Sequence, residues 1–324
     1  MDLIELIKSA EMGNADSQEQ LASKYKKGEG VEKNPQKAIH WYTKSAIQGN
    51  VCSQVNLGKA YFFGNGTTQD YAKAVIWYTK AADLGDLESQ NFLGVCYRDG
   101  DGVRQDLIQS FKWFSKAAGQ GFAPSQNNLG VCYDSGHGVA ANPELAAKLY
   151  KIAAESGYAP AQYNLALCCE AGNGTDVDYY AAFYWYKKAS EQEYCKAQCS
   201  LANCYYYGSG IEQDYEQAVY WYKQAASLGY SPALNNLGYC YKNGEGIKKN
   251  YVKAVELFRK AADKGNPSAQ KNLGLCYEFG QGVEKNLDRA KELYVKAAEQ
   301  GNEEALDYLN KLTKGMSDAN WEAL

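Results

Sequence analysis

Histidine is almost missing from this chain: His40 and His137 are the only two in 324 residues. They fall at unrelated positions, so a histidine metal cluster or a nucleophile–histidine pair lacks its raw material. Long apolar runs are missing too. No stretch approaches the ~20 residues that cross a bilayer. In the opening MDLIELIKSA, Asp2, Glu5 and Lys8 break up any secretory apolar core. The expectation is a cytoplasmic protein with no membrane insertion. Positive charge is not in excess either: the net charge is −4. The recurring lysines (Lys37, Lys73, Lys253 and Lys44, Lys80, Lys116) alternate with acids. No basic field recruits nucleic acid.

Cysteine is plentiful, with ten residues, but no C-x2-C pair occurs. Cys96, Cys132, Cys168, Cys204, Cys240 and Cys276 recur every 36 residues. Equivalent positions in stacked helical units lie roughly 8–10 Å apart, whereas a disulfide needs Cα atoms within about 7 Å. The ladder therefore reads as small buried thiols. Cys195 and Cys199 share a helical face, with Cys204 further along and Cys168 and Cys169 on a neighbouring helix. Without two closely spaced pairs they do not make a zinc site. No metal, cofactor or catalytic residue is expected.

What the chain has in abundance is a period. G-x-G appears at Gly28/Gly30 and then every 36 residues through Gly280/Gly282, eight times without insertion. Before each loop runs a helix A with Leu (Leu21 to Leu273), a neighbouring Gly or Ala, and Tyr four residues after the Leu, Cys169 being the exception. The first glycine suits a left-handed helix cap. After each loop comes Asn or Asp (Asn34, Asp70, Asp106, Asn142, Asp178, Asp214, Asn250, Asn286), read as the N-cap of a helix B. Helix B carries Ala or Ser and then, four residues on, Tyr or Phe (Tyr42, Tyr78, Phe114, Tyr150, Tyr186, Tyr222, Phe258, Tyr294). Glycine closes helix B in every repeat but one, where Glu193 stands instead. The reading is all-α: an N-terminal capping helix in 1–13, eight repeats over 14–301, and a C-terminal capping helix and tail in 302–324. Trp321 either folds back on the last helix or belongs to a loose tail.

These columns, A/S-x-x-x-L-G-x-x-Y-x-x-G-x-G-V-x-x-D/N-x-x-K-A-x-x-W-Y-x-K-A-A-x-x-G, resemble the Sel-one-like repeat family, relatives of tetratricopeptide repeats. The resemblance covers residues 14–313. It implies a right-handed α/α superhelix with A helices on the concave side, and a role as an adaptor that assembles protein complexes. A disulfide-rich bacterial branch, linked to β-lactam binding, pairs cysteines on facing helices within a repeat. This ladder lacks that pattern.

By analogy with tetratricopeptide helices, the concave positions lie two before, two after and five after the Leu. The partner-binding candidates are Asn91, Val95, Arg98, Asn127, Val131, Tyr163, Leu167, Asn203, Tyr206, Tyr207, Asn235 and Tyr239. Amides both donate and accept, which suits an extended peptide backbone. Tyrosines supply amphipathic anchors. For Asn91, Asn127 and Asn235 the competing role is internal hydrogen bonding. A second feature is the aromatic column Phe122, Tyr158, Tyr194 and Tyr230 at the start of helix A, either an exposed edge or packing. The expected function is a monomeric scaffold that holds a protein or peptide. The alternative is an inhibitor, effector or ligand-binding solenoid that regulates an enzyme.

Overall fold

The computed structural model describes residues 2–321, with side chains as far as Lys314. Among these there are eighteen helices and no strand. Two compact units divide the chain, Met1–Ala161 and Gln162–Leu324. The first holds α1 (Leu3–Glu11), α2 (Ala15–Lys27), α3 (Pro35–Ile47), α4 (Val51–Phe63), α5 (Tyr71–Asp83), α6 (Leu87–Asp99), α7 (Leu107–Ala118), α8 (Ala123–Ser135), α9 (Pro143–Glu155) and the first residues of α10 (Ala159–Ala171). The second holds the rest of α10, then α11 (Tyr179–Ser190), α12 (Cys195–Tyr207), α13 (Tyr215–Ser227), α14 (Ser231–Asn243), α15 (Tyr251–Asp263), α16 (Pro267–Phe279), α17 (Leu287–Glu299) and α18 (Glu303–Trp321). The last helix runs through the segment that departs from the repeat pattern. The side chain of Trp321 lies outside the described residues.

One repeat shows why the sequence folds this way. Asn50 caps α4 by accepting from the Ser53 N–H at 2.9 Å. The helix stops at Gly64, whose φ of +69° turns its N–H back onto the Ala60 carbonyl. The Asp70 N–H then donates to the Tyr61 carbonyl at 2.9 Å, closing the loop. The Asp70 carboxylate accepts from the Lys73 N–H at 2.9 Å and starts α5. All eight Asn or Asp residues expected as caps of helix B accept a backbone N–H in this way. Each such cap is worth about 1 kcal/mol.

Within a repeat, the helix B aromatic lies flat on the small residue of helix A. A Cβ added at Gly58 would sit 2.6 Å from the Tyr78 ring, so α4 and α5 close to backbone-on-ring contact. All eight aromatics are buried, and each contributes roughly 1.5–3 kcal/mol of apolar burial. Their hydroxyls find partners where the facing columns supply them. Tyr186 donates to Glu170 and Tyr294 to Glu278, both at 2.6 Å. Tyr78 has no partner, because its repeat carries Phe62 in the column of those glutamates.

A buried glutamine column runs beside this core. Gln18 and Gln90 reach the Ala10 and Ala82 carbonyls at 3.0 and 3.2 Å. In four repeats the glutamine's own oxygen accepts from a glutamine 30 residues later: Gln48 on Gln18, Gln120 on Gln90, Gln192 on Gln162 and Gln300 on Gln270. Gln54 and Gln198 meet leucine there instead, Leu84 and Leu228, and their Oε1 atoms are buried without a partner. Leu84 is 62% exposed, so it gives little apolar burial in return. Leu84→Gln is therefore expected to stabilise the first unit by about 1 kcal/mol. Urea unfolding followed by circular dichroism reads this as a higher midpoint; an unchanged one would show that solvent already serves that oxygen.

Candidate partner-binding face

In the first unit the candidate residues stand on α6 and α8. The Asn91 Oδ1 accepts from Ser125 at 3.0 Å and from Asn128 at 2.9 Å, which pins one A helix to the next. Asn127 is buried. The guanidinium of Arg98 forks onto the Asp99 carboxylate with two 2.8 Å bonds. This hydrogen bonding holds the Asp99 carboxyl below the usual carboxylate range. Val95 packs partly into the cluster around Phe114, and Val131 is half-buried. Most of this set is turned inward.

The second unit differs. On α12, α14 and α16 a chain of amides runs sideways across the helices. Asn272 donates to Asn235 at 2.9 Å and Asn235 to Asn236 at 3.1 Å. Asn236 then donates to Asn203 at 3.3 Å, whose oxygen also receives the Tyr222 hydroxyl at 2.6 Å. Asn235 is nearly closed off, while Asn203 is half-buried. The oxygens of Asn235, Asn236 and Asn203 are thus used, while each amide nitrogen in the row keeps at least one N–H.

Above this floor lies a depression of ≈ 210 Å³, lined by Tyr207, Tyr239, Asn235, Asn236, Ser268 and Lys271 among others. Tyr207 is 71% exposed and Tyr239 42%. The structure thus brings Asn235, Tyr207 and Tyr239 together, with Asn203 behind them. Tyr206 points elsewhere: its hydroxyl donates to Glu245 at 2.7 Å and its ring meets Tyr215 edge-on. Burial and that carboxylate push its pKa up. Tyr163 packs against Tyr186 and Tyr194. Leu167 is exposed but does not line the depression.

The sequence columns did not pick out Asn236, Asn272 and Ser268. Asn236 and Asn272 recur one residue before the Leu and read as framework, which hid their place in the floor. The aromatic column at the start of helix A is half-buried. Phe122, Tyr194 and Tyr230 make no capping hydrogen bond, and Tyr230 packs on the cluster around Tyr222.

The ten thiols are all free. Among the described residues, no three His, Cys, Asp or Glu side chains converge as metal ligands, and no helix is long and apolar enough to cross a membrane.

The Sel1 repeat model matches residues 15–50, 53–86, 87–122, 123–158, 159–194, 195–230, 231–266 and 267–302. Two solved structures are similar over 96% of this chain. One is c5321, a protective antigen present in uropathogenic Escherichia coli strains and displaying an SLR fold. It is 37% identical with a TM-score of 0.76, and 67% of its own chain is covered. The other is a Sel1 repeat protein from Oxalobacter formigenes, 30% identical with a TM-score of 0.65 and 90% covered. No curated protein matches.

Proposed function

Because the chain belongs to the Sel1 repeat family, whose members are in general protein-interaction scaffolds, we propose that it holds an extended peptide of a partner protein on the A-helix face of its second unit. The observation that carries this reading is the depression between Tyr207 and Tyr239, floored by amides with N–H groups to spare. A peptide backbone offers carbonyl acceptors at regular intervals, and such donors meet them. The two tyrosines bring large contact area at low conformational cost, as binding hot spots do. Ten free thiols suit a reducing compartment.

Selection from a displayed random-peptide library tests the proposal. The wild type should enrich a common motif. Tyr207→Ala/Tyr239→Ala should bind the selected peptide at least tenfold more weakly in fluorescence anisotropy. Equal affinity in the variant would remove this surface from the reading. Both side chains are largely exposed, so the variant should keep its helical circular dichroism.

A further inference from the structure

We propose that the first unit carries a separate site, between its first two repeats, for the C-terminal carboxylate of a peptide whose last residue is apolar. A pocket of ≈ 350 Å³ opens there between α2, α3 and α4, at the small end of the ~300–1,000 Å³ typical of ligand pockets. Three lysines, Lys26, Lys33 and Lys59, stand around it, while Ile39, Ala38 and Tyr42 supply apolar wall.

The charges are not balanced from within. Lys59 is paired with Glu88 at 2.6 Å. Neither Lys26 nor Lys33 has a carboxylate within ion-pair distance among the described residues. Lys26 is nonetheless held in place. Its ammonium donates to the Asn56 Oδ1 at 2.9 Å, and the Asn56 amide is itself fixed by donating to the Cys52 carbonyl at 2.9 Å. Two unpaired ammoniums at one pocket match the two oxygens of one carboxylate. The apolar wall beside them asks that the anion carry an apolar body on the same residue. A chain end such as -Ile-Leu with a free carboxylate meets both demands. A bare phosphate lacks the apolar body, and an interior glutamate brings polar backbone on both sides.

This site shares no residue with the tyrosine-flanked depression, so the two readings fail independently. The test uses the full chain and fluorescein-labelled Gly-Ser-Gly-Ser-Gly-Ile-Leu in three forms: free acid, C-terminal amide, and an amide with an interior Glu in place of the central Ser. The free acid should bind saturably in anisotropy, and amidation should weaken it at least tenfold. Lys26→Ala/Lys33→Ala should cost a similar factor, while Lys260→Ala, outside both sites, leaves affinity unchanged. No saturable binding of the free acid at millimolar protein overturns the proposal. So does equal binding of the plain amide, or full binding of the glutamate-bearing amide, which would assign the pocket to side-chain carboxylates. Undiminished binding by the lysine variant overturns it as well.

Discussion

Raised to pH 10.5 in the presence of a reductant, the protein is expected to unfold. Burial pushes the thiols of Cys96, Cys199, Cys204 and Cys240 up to about 12 from an ordinary value of 9.0. Cys132 and Cys276 rise only to about 11, because Arg98 and Lys242 offset part of the effect. The sign follows from which state holds the protons. Above pH 9 the unfolded chain ionises its thiols while the folded chain keeps them protonated, so ionisation favours unfolding. Stability is therefore intact below about pH 9 and falls through the window up to 11–12. At pH 10.5 each thiol costs up to about 2 kcal/mol. Six together reach the whole stability of an ordinary domain, about 5–15 kcal/mol. A pH titration read by circular dichroism and thiolate absorbance checks this. The helical signal should collapse in step with thiolate appearance. A helical signal that persists to pH 11 with thiols unionised would mean that burial alone does not govern the transition.

Gly246→Ala is expected to cost about 3–4 kcal/mol, and Gly30→Ala only about 1 kcal/mol, although both are the second glycine of the same loop. Their φ angles are alike, +64° and +76°, so the strain of placing an L residue in the left-handed region is common to both. The surroundings separate them. A Cβ on Gly246 would overlap the backbone carbonyl of Tyr215, at the start of the preceding helix B. A carbonyl fixed in a helix cannot move aside as a side-chain end can. A Cβ on Gly30 would have nothing within 4 Å. Urea unfolding with protease cleavage near residue 246 measures the pair. Equal losses would show that backbone strain, not the joint between repeats, makes these glycines necessary.

The parts of the fold visible in the sequence are those written in local chemistry. Asn34 and its equivalents announce a helix start, and the Leu, small-residue and aromatic columns announce the core, because their partners lie within one repeat. The contacts that stayed hidden join different repeats. Gln48 meets Gln18 across 30 residues and Asn272 meets Asn235 across 37, separations that leave no periodic trace of their own. The same limit shaped the partner-binding face. Position alone grouped Asn91 and Asn127 with Tyr206 and Tyr239. Which amide is spent on a neighbour and which ring stands in solvent depends on side-chain identities one repeat away. Tyr206 and Tyr207 are adjacent in sequence, yet only one has a glutamate, Glu245, within reach of its hydroxyl.

The joint at the second glycine reads a carbonyl oxygen rather than a side chain. Gly102, Gly138, Gly210, Gly246 and Gly282 abut the backbone of Tyr71, Leu107, Tyr179, Tyr215 and Tyr251. Every amino acid carries that oxygen, so the residue opposite the glycine is free to drift while the glycine is not. Mutational tolerance should accordingly be lopsided across each seam, with one partner frozen and the other open to exploration. A chain built this way can lengthen by copying a 36-residue unit without designing a new seam, because any duplicate arrives already compatible with its neighbours.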